Sequence, residues 1–368
     1  MRQALFGNAL DFAAAQARRV ISEHPGYVPM YTVGGQWNRE GERWTHWCEG
    51  FYPGIYWLLH KHTGERFWRE QAEKFTVPLA GRCFDRSVHD LGFLFFSTYG
   101  RWYRLTRDPA LKQILIDAGQ TLALRRQAGG YLASFLGPQS LFIDIMMNVG
   151  IIFWAANATG DEALRQIAIE HCRTTQQYLV RPDGGTAHEG IFDTDTGQFL
   201  REATQQGYSP SSTWTRGLAW AIYGFTAVHR LSGVAEFLET AQRCADYYLR
   251  RAPANLVPPW DFDAPADGTQ PDDSSAAAIT ASGLFDLSEQ VERGADKERY
   301  RQAYFKILEA LCGEAFLAQG RAGWEGILLH GVYHYHKNLG VDESVAWGDF
   351  FFVEALIKAL AGCSEAAW

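Results

Sequence analysis

ATGDE, residues 158–162, reads as punctuation between two helices. The glycine ends one helix and the acid opens the next. HTGER at 62–66 and LSGVAEF at 231–237 follow the same grammar, while TRDPA at 106–110 places Pro109 in the first turn of the following helix. Outward from these four short turns, helical periodicity dominates the chain. The other connections are long and rich in Gly, Pro, Ser and Asp, running at about 23–43, 83–89, 128–140, 182–212, 253–273 and 315–345. Short and long links therefore alternate, giving about twelve helices in six hairpins. Six hairpins closed into a ring put every short turn at one end and every long loop at the other. The expected fold is all-α, an (α/α)6 barrel formed by the single domain 1–368, with inner helices opening near Trp44, Asp90, Ser140, Ser212, Ser274 and Ala346. An open α-solenoid or two helical bundles would satisfy the same periodicity. Two passages in the long loops, GGTAHEGIFDTDTGQFL at 184–200 and GILLHGVYHYH at 326–336, carry the alternation of short β-hairpins.

Composition narrows the functional classes. The net charge of −8 comes from acids and bases mixed along the chain, with no basic block to engage nucleic acid. Aromatic residues make up 14% of the chain, material for a cleft that takes sugar rings as well as for a core. The six cysteines are scattered without a CxxC pair, against a zinc site or disulfide scaffold and in keeping with a reducing compartment. The N-terminal MRQALFGNALDFAAAQARRV reads as an amphipathic helix, not a secretory signal, and no run reaches the roughly 18 apolar residues of a membrane span. A cytoplasmic monomer or homodimer is expected.

Two acids stand out by their surroundings. Asp90, in SVHDLGF (87–93), and Asp144, in LFIDIMMNVG (141–150), lie at or just inside the starts of apolar segments. Helix capping explains such an acid in general. It explains Asp144 poorly, because the apolar run already begins at Leu141. An acid held on an apolar inner face is desolvated, which raises its pKa into a useful range. His89 adjoins the first acid, and Asn148 shares a face with the second. A third constellation, QQGYSPSSTWTRGLAW (205–220), offers Ser212 or Thr213 as a cap. Arg216 and Trp220 are then spaced i, i+4, beside Gly217. A cation next to an indole, with a glycine clearing room, suits a ring that bears a carboxylate; a salt bridge and a core Trp suit it too. Further candidates are His188, the stretch WTHWCEGFYPGIYW (44–57), and Asp272 and Asp273 as caps. His334 and His336 share one side of an alternating strand, but with no companion carboxylate pattern no metal is assigned.

In this order, HDLGFLF, FIDIMMN, STWTRGLAWAIYGF, PWDFDAP, DDSSAAAITASGL and AWGDFFFVEAL resemble the unsaturated glucuronyl hydrolases, glycoside hydrolase family 88, from about residue 40 to 360. The unsaturated rhamnogalacturonyl hydrolases are near relatives. The resemblance implies the (α/α)6 barrel and two catalytic aspartates, Asp90 and Asp144. It implies substrate-binding roles for His89, His188, Gln206, Arg216 and Trp220. Phe135 stands where the family usually has an aromatic before the second acid, in a shortened loop, and Leu218 replaces a usual glutamine.

The implied substrate is an oligosaccharide ending in a Δ4,5-unsaturated uronic acid, and no cofactor is called for. Asp144 would protonate C4 and then activate water for C5, with Asp90 tuning it, Arg216 and His188 receiving the sugar carboxylate or hydroxyls, and Trp220 packing on the ring. Such a pair needs one carboxyl protonated while the other is charged. A conventional inverting glycosidase, with carboxyls roughly 6.5–9.5 Å apart, is the alternative on the same fold. A sugar 2-epimerase using paired histidines, His334 and His336, comes next, and a non-catalytic helical-repeat binder last.

Overall fold

A computed structural model describes residues 2–37, 47–292 and 294–363. Its elements run in chain order as α1 (Arg2–Glu23), β1 (Thr32–Val33), β2 (Gln36–Trp37), α2 (Phe51–Thr63) and α3 (Arg66–Thr76). Next come α4 (Leu91–Phe95), which continues through a π turn into α5 (Arg101–Thr106), then α6 (Pro109–Ala123), β3 (Ser140–Phe142), α7 (Gly150–Thr159) and α8 (Glu162–Leu179). The second half holds β4 (Glu189–Phe192), β5 (Phe199–Ala203), α9 (Thr215–Ser232), α10 (Ala235–Arg251), α11 (Ser274–Gln290), α12 (Gly294–Leu311), β6 (Gly331–His334), β7 (Leu339–Glu343) and α13 (Ala346–Ala361).

The short turns are built as their residues dictate. Gly64, Gly160 and Gly233 take the left-handed conformation that ends α2, α7 and α9, each N–H returning to a carbonyl four residues back. Asp161 then caps α8 through the Ala163 and Leu164 N–H groups. At the second turn Arg107 takes the left-handed place, Asp108 caps Ala110 and Pro109 opens α6.

Six inner segments form a ring: α2, α4–α5, α7, α9, α11 and α13. The outer layer is α3, α6, α8, α10, α12 and α1. The ring closes because α13 packs on α2, with α1 laid over α13 as the sixth outer helix. Closure excludes the open solenoid. The two layers differ in sequence for a physical reason. Ser274–Ser288 of α11 and Ala346–Lys358 of α13 are buried on every side, so they are mostly apolar or small all round, and charged exceptions such as Lys358, Asp286 and Glu354 pair with one another. Outer α10 buries one stripe, including Phe237, Ala241, Cys244 and Tyr248. All six cysteines are free, five of them buried. Among the described residues no helix is long and apolar enough to cross a membrane.

Several expected starts move. The segment opening at Ser140 is not yet helix. Ser140–Phe142 pairs antiparallel with β4, Ile143–Met147 makes one 3-10 turn, and α7 begins only at Gly150. Neither Ser212 nor Thr213 caps α9. The Ser212 hydroxyl binds Asp261 and the Ser209 carbonyl, the Thr213 N–H donates to Asp263, and the helix starts after Trp214. Of the two acids before α11, Asp273 is the cap. The start near Trp44 lies outside the described residues; α2 is helical from Phe51. The first loop hairpin is β4–β5, joined by β3 as a third strand, and the second is β6–β7, whose partner strand begins at Leu339.

Candidate active site

The long loops and the N-terminal ends of the inner helices enclose a cavity of about 460 Å³. Asp90, Asp144, His89, Phe135, Gln206, Arg216 and Trp220 all line it; His188 stands just behind Asp144. The 3-10 turn delivers Asp144, and the loop ahead of α4 delivers Asp90. Asp90 occupies the N-cap position of α4, yet its side chain makes no capping bond, so its carboxyl belongs to the cavity.

Each acid faces an imidazole whose tautomer is fixed from behind. His89 Nδ1 accepts the Phe135 N–H at 3.1 Å. His188 Nδ1 accepts the Gln205 N–H at 3.0 Å and the Gln206 N–H at 3.3 Å. With Nδ1 engaged as acceptor, the proton of each neutral ring sits on Nε2. His89 Nε2 lies 3.4 Å from Asp90 Oδ1, and His188 Nε2 lies 3.9 Å from Asp144 Oδ1. Burial lowers both histidines to about 3, so at neutral pH they are N–H donors and not bases. Asp144 Oδ1 and His188 Nε2 are buried and have no hydrogen-bond partner.

Burial pushes both carboxyls up, Asp90 to about 8 and Asp144 to about 7. The negative charge of Asp144 adds to the rise at Asp90, whereas the Arg216 guanidinium pulls Asp144 down. The pair titrates as a unit. Arg125 and Arg82 pull Asp90 down in turn, so both carboxyls stay well above the usual carboxylate range and hold a proton between them toward neutral pH.

The raised value of Asp90 sets a pH dependence of stability. An unfolded aspartate ionises near ~3.9. Between that pH and the folded value, the native chain keeps a proton that the unfolded chain has released, so stability falls as pH rises. Asp90→Asn removes this loss. The variant is expected to gain stability over the parent as pH climbs from 4 to 8, by no more than about 1.4 kcal/mol per pH unit. Denaturant titrations at the two ends of that range measure it, and an equal stability difference at both would contradict the assignment.

Arg216 reaches the cavity with much of its guanidinium already engaged by protein. It is fully buried, and it donates to the Val332 carbonyl, the Tyr333 carbonyl at 2.8 Å, Asp273 Oδ2 at 3.3 Å and Gln206 Oε1 at 2.6 Å. Trp214 and Trp347 flank it at 4.5 and 5.2 Å from their ring centroids. Four of its hydrogen bonds go to protein, one of them to the cavity-lining Gln206. Gly217 clears room for Trp214 and Ile143, not for a ligand: a Cβ there would lie 2.7 Å from Trp214. Trp220 packs on Phe93 at 4.9 Å and shows only part of its ring to the cavity. Phe135 stacks over His89, its centroid 5.8 Å away.

Sequence reading passed over Trp214, Tyr333 and Lys337. Trp214 packs on His188 at 4.6 Å as well as on Arg216, while Tyr333 and Lys337 line the cavity beside His334. A lysine directly after HYH in a long loop was the available signal for the last. The proposed His334–His336 pairing does not form on one strand face. The strand ends at His334, and His336 turns away to bind the Gly207 carbonyl at 2.8 Å.

Known proteins share this barrel. The model of Glycosyl Hydrolase Family 88 matches residues 28–360. The unsaturated glucuronyl hydrolase of Bacillus sp. (strain GL1) is 35% identical over 332 residues, 86% of this chain and 87% of that protein. The unsaturated chondroitin disaccharide hydrolase of Streptococcus agalactiae serotype III (strain NEM316) is 34% identical over 324 residues, 85% of this chain and 81% of its own. The crystal structure of the Bacillus enzyme superposes with a TM-score of 0.91 at 30% identity, covering 100% of this chain and 99% of that one. With the family model spanning most of its length and a barrel shared throughout, this chain belongs to glycosyl hydrolase family 88.

Proposed function

We propose that this glycoside hydrolase removes the non-reducing-end Δ4,5-unsaturated uronic acid from oligosaccharides left by polysaccharide lyases, and that the whole chain 1–368 forms one catalytic domain for that reaction. The observation that carries the chemistry is the pair of buried, proton-retaining carboxyls, Asp90 and Asp144, each faced by a neutral imidazole N–H in one cavity.

The terminal residue of such a substrate is an enol ether. A proton delivered to C4 places positive charge at C5, shared with the ring oxygen. Water adds at C5, the hemiketal opens, and the neighbouring sugar leaves as its alcohol. Asp144 delivers the C4 proton and then receives one from the water. Asp90 shares the proton with it and, when charged, steadies the cationic C5. A bound uronate brings a negative charge into a low-dielectric site, which helps keep one proton on the pair at neutral pH while their mutual repulsion opposes charging both. The unspent Nε2–H of His188 supports the carboxylate form of Asp144 or a sugar oxygen. Against the epimerase stands the engagement of His336 with Gly207.

Ultraviolet absorbance of the conjugated double bond gives the test. The chain is mixed in turn with unsaturated disaccharides from chondroitin, hyaluronan, heparin, gellan, ulvan and rhamnogalacturonan. Loss of the absorbance with release of the partner sugar is expected on at least one. Isomerised sugar without cleavage, or no turnover on any, would overturn the reading.

A further inference from the structure

We infer that Asn148 is a positioning residue that caps helix α4 in place of Asp90 and thereby leaves the Asp90 carboxyl to the cavity. The inference rests on the reading of Asp90 and Asp144 as the working pair. The first N–H groups of a helix have no partner within it, and an aspartate at the N-cap ordinarily accepts one from the second or third helical residue. In α4 that third residue is Phe93. Its N–H goes instead to Asn148 Oδ1, at 2.8 Å, from the end of the turn that carries Asp144. The other end of the same amide, Nδ2, donates to the Asp144 carbonyl at 3.1 Å. One fully buried side chain thus satisfies the helix end next to the first acid and braces the turn that presents the second.

Gly92 makes the arrangement possible. A Cβ at that position would stand 2.5 Å from Asn148 Cα and 2.8 Å from its carbonyl oxygen, so any side chain would force the two segments apart. The glycine and the asparagine are two halves of one contact. Without the Asn148 acceptor, the Phe93 N–H is left buried and unpaired, and the nearest remedy is rotation of Asp90 into its ordinary capping role. A carboxylate that accepts an N–H is stabilised in its charged form and drawn out of the cavity. The groups that face Asp90 in the present arrangement are His89, Asp144, Arg125, Arg82, Asp85 and Tyr333, and Arg216 and His188 face Asp144.

The test is the pH profile of kcat/KM on an unsaturated disaccharide, read for the parent, Asn148→Ala, Asn148→Asp and Asp90→Asn. Asn148→Ala is expected to lose on the order of 10- to 10²-fold in kcat through misplacement of the acids, and to move the basic limb to lower pH. Asn148→Asp keeps an acceptor for Phe93, so its basic limb does not move down. Limb positions are independent of how much enzyme folds. Should Asn148→Ala yield no folded protein, Gly92→Ala breaks the same contact from the other side and is expected to give the same downward shift. An unmoved limb in Asn148→Ala, or an equal downward shift in Asn148→Asp, would overturn the inference. Full activity in Asp90→Asn would overturn instead the reading on which it rests.

Discussion

Asp144→Asn is expected to lose at least about 10²-fold in kcat while keeping its fold. The amide occupies the same volume but can neither give a proton to C4 nor take one from water. Folding has little to lose. Oδ1 of Asp144 accepts no hydrogen bond, and the contact of this residue with Asn148 runs through its backbone carbonyl. Removing a carboxyl whose ionisation is opposed by burial should, if anything, raise stability at neutral pH. The signature is a low kcat in a protein whose far-ultraviolet circular dichroism and denaturant midpoint match or exceed the parent's. Turnover near that of the parent would remove Asp144 from the chemistry. Low turnover with a lowered midpoint would make it a structural residue.

The second large effect concerns stability. Arg216→Ala is expected to cost about 3–5 kcal/mol, the usual penalty for leaving one partner of a buried ion pair behind. Asp273 would lose its cation while remaining fully buried at the head of α11, where it also accepts from the Ser275 N–H at 3.0 Å and from the Ser275 hydroxyl. The Val332 and Tyr333 carbonyls of β6 would lose their donor together. These contacts tie α9 to α11 and to the β6–β7 hairpin that walls the cavity. A residue engaged mainly by the substrate carboxylate would behave differently: its loss would raise KM and leave the unfolding midpoint in place. Equilibrium unfolding in urea, set beside KM, separates the two roles.

Why the architecture was legible and parts of the site were not can be argued from single residues. Gly64, Gly160 and Gly233 act locally, each through a backbone conformation, and local rules appear in local sequence. So the helical hairpins and their pairing were readable. Periodicity alone left closure open, because it depends on α13 meeting α2 across almost the whole chain; the family resemblance is what implied it. The position of Asp144 was misjudged by a comparable route. LFIDIMMNVG looks like the start of a buried helix, yet Ser140–Phe142 is recruited as a strand by β4, some fifty residues later. A short apolar run does not reveal which partner will claim it. Arg216 and Gly217 followed the helical spacing correctly, but spacing says nothing of Val332 and Tyr333, which arrive from more than a hundred residues away to occupy the guanidinium. His89 and His188 show the same limit. Their presence beside the acids was apparent, while their tautomers depend on backbone N–H groups of Phe135, Gln205 and Gln206 supplied by other loops.

The most direct test of double-bond hydration is turnover in D2O, quenched in its first cycles and read by NMR or mass spectrometry. Proton delivery from an exchangeable carboxyl predicts one carbon-bound deuteron at C4 of the released uronate, placed on a single face, with the double bond gone. A released sugar that still carries the double bond and no deuterium on carbon would mean cleavage at C1 by an ordinary glycosidase route, and would contradict the account.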